Sequence, residues 1–276
     1  MGYRITNEIY YFLFNDIEKI ENLNETCFDL TVDLYIDMME NLDGKDGYDM
    51  SSKKEIVIGS MVAYLMKIMN SYTKILTGSH KVAALILSRT VIEIFIKTKY
   101  LLYMDSDELY SNYINNSLVS EKYFLKNLEG FKSFNQEFVN GTKSSIEQLI
   151  EDSHVDDIES ISRKKYPFPS IEKMSQKLIE EGIISPVTYD IVYRTTSNYS
   201  HANWSAIQKE GFGESVDYVD IRLIAPIAIL IVDMTLYMDE KLNKLTDEFI
   251  RRLKIYFNSL VILDQEHLKR NWPEKQ

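Results

Sequence analysis

The residues best equipped for chemistry lie together in Tyr193-Arg194-Thr195-Thr196-Ser197-Asn198-Tyr199-Ser200-His201. Tyr189, Tyr193, Ser197 and His201 recur every four positions, and Arg194 precedes His201 by seven. On a continuous α-helix of about 3.6 residues per turn, these five side chains share one broad stripe. An imidazole titrates near neutral pH and moves protons, while a guanidinium grips a phosphate through two parallel hydrogen bonds. Arg194 and His201 are thus a pair suited to phosphodiester chemistry, with Asn198, Ser200 and Asn203 alongside. The competing reading is structural: a His201 ring hydrogen-bonded to Tyr193 or Ser197 that serves packing alone.

A second polar group interrupts an otherwise apolar helix at Leu87-Ser88-Arg89-Thr90-Val91-Ile92-Glu93. Four-residue spacing puts Arg89 and Glu93 on one face, and Lys97 extends the stripe by one turn. A charge facing a core must be satisfied, so the pair is either a structural ion pair or a device that orients groups at a site between helices. Arg89 and Arg194 together also suit a small anionic ligand. Other familiar sites lack their residues: there is no Gly-rich phosphate loop ending in Lys-Ser or Lys-Thr, no His-Glu-x-x-His and no Gly-x-Ser-x-Gly. His80, His154, His201 and His267 are far apart in sequence, and Cys27 is the single cysteine, which leaves no local metal-ligand pattern and no internal disulfide. No cofactor or metal is expected.

The elements that must position these groups read as helices throughout. Apolar residues recur at three and four positions, whereas alternation of period two is never sustained. Helices are expected over Asn7 to Leu42 with a break near Asn22-Leu23-Asn24, from Ser51 or Ser52 as cap to Leu76, and from Ser79 to Met104. The last of these is apolar on most of its circumference and should be central. Ser106 to Ile150 reads as one helix or as two joined near Gly130. Tyr166-Pro167-Phe168-Pro169 must be loop, since prolines disfavour helix for themselves and for the residue before. Further helices are expected at Ser170 to Glu181, Ser185 to Gln208, Val219 to Leu242 and Thr246 to Lys269. Turns fall at Asp43-Gly44-Lys45-Asp46-Gly47, Thr77-Gly78-Ser79 and Gly211-Phe212-Gly213. The polar crowding after Tyr193 weakens helix propensity and places a distortion near Ser200.

The expected class is all-α, a bundle of about seven to nine helices forming a single domain over 1–276, with 1–50 and 245–276 as peripheral helical extensions. Only 10 Gly and 5 Pro in 276 residues agree with a chain poor in turns. A net charge of −11 repels nucleic acid over the molecule as a whole, so any such contact must be local. No export signal is read at Met1-Gly2-Tyr3-Arg4, and the longest apolar run, Leu223 to Met238, holds Pro226 and Asp233, which marks a buried helix rather than a membrane span. A cytoplasmic location is expected.

Two resemblances attach to these residues. Arg89-Thr90-Val91-Ile92-Glu93, Tyr100-Leu101-Leu102, Ser170-Ile171-Glu172-Lys173-Met174 and Tyr189 to His201 resemble a widespread prokaryotic family of unknown function, marked by an Arg-x3-Glu helix and a later Tyr-x3-Ser-x3-His helix. That likeness runs from about Leu85 to Trp204. The chain is also similar to the HEPN superfamily of helical-bundle ribonucleases of toxin–antitoxin, abortive-infection and CRISPR systems, whose site is an Arg followed after four to six residues by His. Arg194 and His201 have six between them, and Glu93 with Lys97 matches the supporting acid and base of that superfamily. Thr195 departs from it, for Asn, Asp or His usually follows the Arg. This second resemblance implies a HEPN-like core and a metal-independent endoribonuclease acting as toxin or phage-defence effector. Arg194 and His201 would be catalytic, supported by Arg89, Glu93, Tyr193, Ser197 and Asn198. It further implies RNA as substrate, a homodimer and an antitoxin or other defence-system partner. The alternative expectation is a non-enzymatic helical adaptor or sensor of a defence or mobile-element system.

Overall fold

A computed structural model describes residues 15–42, 52–77, 81–130, 135–153, 166–201 and 221–271. Among these residues there are nine α-helices and no strand, as the periodicity requires. They are α1 (Leu23–Leu42), α2 (Lys53–Thr77), α3 (Lys81–Met104), α4 (Asp107–Gly130), α5 (Gln136–Asp152), α6 (Ile171–Glu180), α7 (Arg194–Ser200), α8 (Ile221–Leu242) and α9 (Asp247–Asn271). A 3-10 turn at Ile17–Lys19 precedes α1, and a π-helical segment at Thr188–Tyr193 leads into α7. The expected turns at 43–47 and 211–213, most of the turn at 77–79, and His80, His154 and Asn203 lie outside the described residues.

Local chemistry sets the helix ends. The backbone N–H of Glu25 donates to Asn22 Oδ1 at 3.2 Å, and Asn22 Nδ2 donates to Glu25 Oε2 at 3.2 Å. Ser52 and Glu55 repeat the pattern at the start of α2, with Glu55 N–H on Ser52 Oγ at 3.2 Å, so Ser52 is the cap. Asn135 caps α5 through the Glu137 N–H at 2.9 Å, which resolves the region around Gly130 into two helices. The end of α6 is a Schellman motif: Gly182 adopts φ +71°, Ile183 N–H donates to the Leu178 carbonyl at 2.8 Å, and Gly182 N–H donates to that of Ile179 at 3.0 Å.

The chain divides into two compact units: residues 1–45, 61–102 and 171–276 form one, and 46–60 with 103–170 the other. In the first, α1, α8 and α9 pack on one another. Cys27, Leu34, Met38, Ala225, Val232, Leu253, Tyr256, Leu260 and Leu263 are completely buried there. The described parts of the segments expected as extensions, 1–50 and 245–276, thus supply core residues of this unit. Arg252 on α9 clasps Asp37 on α1 with Nε on Oδ2 at 2.7 Å and Nη2 on Oδ1 at 2.9 Å. In the second unit α4 packs on α5, and Asn116 holds the extended segment after residue 165. Its Nδ2 donates to the Tyr166 carbonyl at 3.0 Å while its Oδ1 accepts the Tyr166 N–H at 2.9 Å. That pairing satisfies a loop backbone that helix bonds cannot reach.

Helix α3 buries Val91, Ile92, Ile94, Phe95, Ile96, Leu101 and Leu102. Its burial is less complete than expected, because Val82 and Ile86 are 39% and 41% exposed. Those two residues lie four apart, and continuing their face leads to Arg89, Glu93 and Lys97.

Candidate functional site

The polar groups of α3 meet the π-helical segment within the first unit. Glu93 forms ion pairs in two directions: Arg89 Nε donates to its Oε1 at 2.7 Å and Lys97 Nζ lies 3.6 Å from its Oε2. Side-chain exposures of 13% for Arg89 and 28% for both Glu93 and Lys97 make this a half-sheltered group rather than a surface pair. Arg89 also reaches across to Tyr193, donating from Nη2 to the phenolic oxygen, with its guanidinium carbon 3.9 Å from the ring centroid. Its Nη1 is buried and has no hydrogen-bond partner among the described residues. Burial pushes the Tyr193 hydroxyl pKa above its ordinary value; Arg89 opposes the shift, while Glu93 and Tyr189 add to it. The phenol therefore stays protonated at neutral pH.

From Tyr193 the contacts continue outward. The Tyr189 and Tyr193 rings stack with centroids 5.0 Å apart and planes inclined by 16°. Arg194 then places its guanidinium carbon 5.6 Å from the Tyr189 centroid. Arg89, Tyr193, Tyr189 and Arg194 form an unbroken series of ring and guanidinium contacts leading from the half-sheltered face of α3 to the exposed Arg194.

The π geometry corrects the expectation of one continuous α-helix from Ser185 to Gln208. In an α-helix the residue five positions on lies about 140° around the axis and cannot meet the first side chain. In a π-helix, wound with roughly 4.4 residues per turn, positions four and five ahead both flank it. Tyr189 accordingly touches Tyr193 and Arg194 together. The α-helix that follows is short. Thr196 Oγ1 donates to the Tyr193 carbonyl at 3.0 Å and Ser200 Oγ to that of Ser197 at 3.1 Å. Such side-chain bonds compete with the helix ladder, and α7 stops at Ser200, where the polar crowding predicts a distortion.

His201 is the C-cap of α7, with φ −100° and ψ 7°, and its N–H donates to the Ser197 carbonyl at 3.1 Å. It is exposed, as are Arg194 and Asn198; Ser197 is half-buried. Seven residues of near-helical backbone place Arg194 and His201 on one face, about 10 Å apart along the axis. The structure thus brings together Arg89, Glu93, Lys97, Tyr193, Tyr189 and Arg194. It does not draw the His201 ring into that group: no hydrogen bond joins it to Tyr193, Ser197, Arg194 or Glu93 among the described contacts. His267 lies half-buried on α9 beside Asn271, away from these residues in the chain. Among the described residues no three His, Cys, Asp or Glu side chains gather as a metal site, and no helix is long and apolar enough to cross a membrane.

Two charged groups of the same unit give no signal in sequence. Lys99, 3% exposed, pairs with Asp233 at 2.6 Å between α3 and α8, and its ammonium lies 5.0 Å from the ring centroids of both Phe95 and Tyr237. Arg252 and Asp37 are 215 positions apart, beyond any local spacing rule.

These residues place the chain among proteins related by sequence. It belongs to the family of unknown function DUF5677, whose sequence profile matches residues 55–217, more than half of the chain and all of the α3 to α7 site. No curated protein and no solved structure matches it.

Proposed function

We propose that this protein is a HEPN-like, metal-independent endoribonuclease in which Arg194 holds the scissile phosphate and His201 moves a proton. One observation carries the reading: both side chains are exposed on one face of α7, while the residues behind them are tied down. A packing histidine would have its ring hydrogen-bonded in the interior, and this one is exposed at the C-cap of α7.

In this reaction the ribose 2′-oxygen attacks the adjacent phosphorus. The P–O2′ bond forms as the P–O5′ bond breaks, a proton leaves the 2′-hydroxyl, and a proton is delivered to the departing 5′-oxygen. His201 serves one of those transfers and the Arg194 guanidinium faces the charge on the phosphoryl oxygens. The products are a 2′,3′-cyclic phosphate and a 5′-hydroxyl. Arg89, Glu93 and Tyr193 anchor the helix that carries the pair, and Ser197 and Asn198 flank it. By the same resemblance a second copy of the chain supplies a second Arg-His pair, and the setting is a toxin–antitoxin or phage-defence system within the cytoplasm.

The test is cleavage of an unstructured RNA in the presence of a chelator, with the product ends mapped. Cyclic phosphate ends with the parent protein and much slower cleavage by Arg194→Ala support the proposal. Equal cleavage by both, or none by either, contradicts it. A helical adaptor is the second reading, favoured by the way Arg89, Glu93 and Tyr193 satisfy one another inside the chain. It predicts that substitutions in the stripe lower thermal stability without abolishing any chemical activity.

A further inference from the structure

We infer that Tyr189 is a positioning residue for Arg194, and that the π-helical register of Thr188–Tyr193 exists to bring the two together; this rests on the ribonuclease reading for its consequence, though not for its geometry. An exposed arginine at the start of a helix ordinarily samples many rotamers, and each costs a phosphate-binding group its aim. Arg194 is restrained instead. Its guanidinium lies 5.6 Å from the Tyr189 centroid, a cation–π contact that limits its rotamers. Tyr189 is restrained in turn by the 5.0 Å stack on Tyr193, and Tyr193 is fixed by the Arg89 hydrogen bond and the 3.9 Å guanidinium contact. Arg89 is held by Glu93 at 2.7 Å.

The register is what makes this series work. With α-helical winding, Tyr189 would keep Tyr193 as a neighbour and lose Arg194 to the other side of the helix. A π segment forgoes well-aligned backbone bonds, and such segments recur where a side chain must be re-aimed. Here the re-aimed side chain is Arg194. Four-residue spacing puts Tyr189 in the stripe, but only the contacts pair it with Arg194.

A double-mutant cycle tests the inference, using single-turnover RNA cleavage by the full chain, Tyr189→Leu, Tyr189→Phe, Arg194→Ala and the Tyr189→Leu/Arg194→Ala double variant. Tyr189→Leu is expected to slow cleavage at saturating RNA by about tenfold or more, the scale of a misplaced reacting group. Tyr189→Phe, which keeps the ring, restores the rate, and the double variant is no slower than Arg194→Ala alone. Losses that simply add overturn the inference. If the parent protein cleaves no RNA, the ribonuclease reading fails and the positioning is read from the Arg194 side-chain Nε–H NMR signal, assigned with Arg194→Lys. A ring-shielded signal in the parent and in Tyr189→Phe, lost in Tyr189→Leu, upholds it; a random-coil position in the parent overturns it.

Discussion

Arg252 and Arg89 are both paired with a carboxylate, and they are used differently. Arg252 spends its fork on Asp37, which is 2% exposed, through two short hydrogen bonds between helices distant in sequence. Its fork is occupied within α1 and α9, including a further contact to Glu248 at 3.3 Å. Arg89 makes one ion-pair bond to a carboxylate on its own helix, leans on a tyrosine, and leaves Nη1 without a hydrogen-bond partner among the described residues. The first is a clasp that closes a core. The second starts a series of contacts that leads through two tyrosines to the exposed Arg194.

The largest expected effect breaks the clasp. Arg252→Ala leaves the Asp37 carboxylate buried without a counter-charge, held only by the Asn41 amide at 2.9 Å, which should lower unfolding free energy by about 3–5 kcal/mol in urea denaturation. Replacing Asp37 and Arg252 together with leucine and methionine should recover most of that loss, since two well-packed apolar side chains carry no desolvation cost. A loss below about 1 kcal/mol in Arg252→Ala would remove the distinction between the two arginines.

Arg89→Ala should cost less, about 1–2 kcal/mol, because it removes a half-sheltered ion pair and one cation–π contact rather than stranding a buried charge. The same denaturation series checks it, and a cost equal to that of Arg252→Ala would make Arg89 a core clasp after all.

Next to the clasp, Asp33 sharpens the comparison through pH. Burial, followed by the charges of Asp29 and Asp37, raises its pKa from 3.8 to about 6. The folded state therefore binds this proton more readily than the unfolded chain, so the contribution of Asp33 to stability declines as pH rises from about 4 to about 6 and stays unfavourable above. Asp33→Asn should stabilise the protein at pH 7 by about 1 kcal/mol, allowing for solvent screening of a half-exposed group, and should have little effect at pH 3.5. Denaturant midpoints for parent and variant at the two pH values measure this; a gain of the same size at both would assign it to packing instead.

Much of the fold is legible in the sequence because apolar spacing and capping chemistry are local. Asn22 with Glu25, Ser52 with Glu55, and Pro167 with Pro169 mark their boundaries directly. The Arg89–Glu93 pair is legible for the same reason, being one helical turn long. The π segment is not, since a four-residue recurrence of Tyr189 and Tyr193 fits α and π winding equally well, and only the five-residue contact to Arg194 tells them apart. The clasp is hidden by distance: Asp37 reads as an ordinary polar residue of an amphipathic helix until α9 is folded against it. Lys99 is concealed in the same way, since nothing local reveals that Asp233 meets it. Val82 and Ile86 show the converse limit, for an apolar face in sequence does not say whether anything covers it.

The smallest expected change in stability is also the sharpest test of the account: thermal melting and RNA cleavage measured side by side for His201→Ala. An exposed C-cap histidine without a buried partner among the described residues should alter stability by less than about 0.5 kcal/mol. His201→Ala should melt with the parent and no longer yield cyclic phosphate ends. A variant that melts well below the parent, or one that cleaves RNA as the parent does, would contradict it.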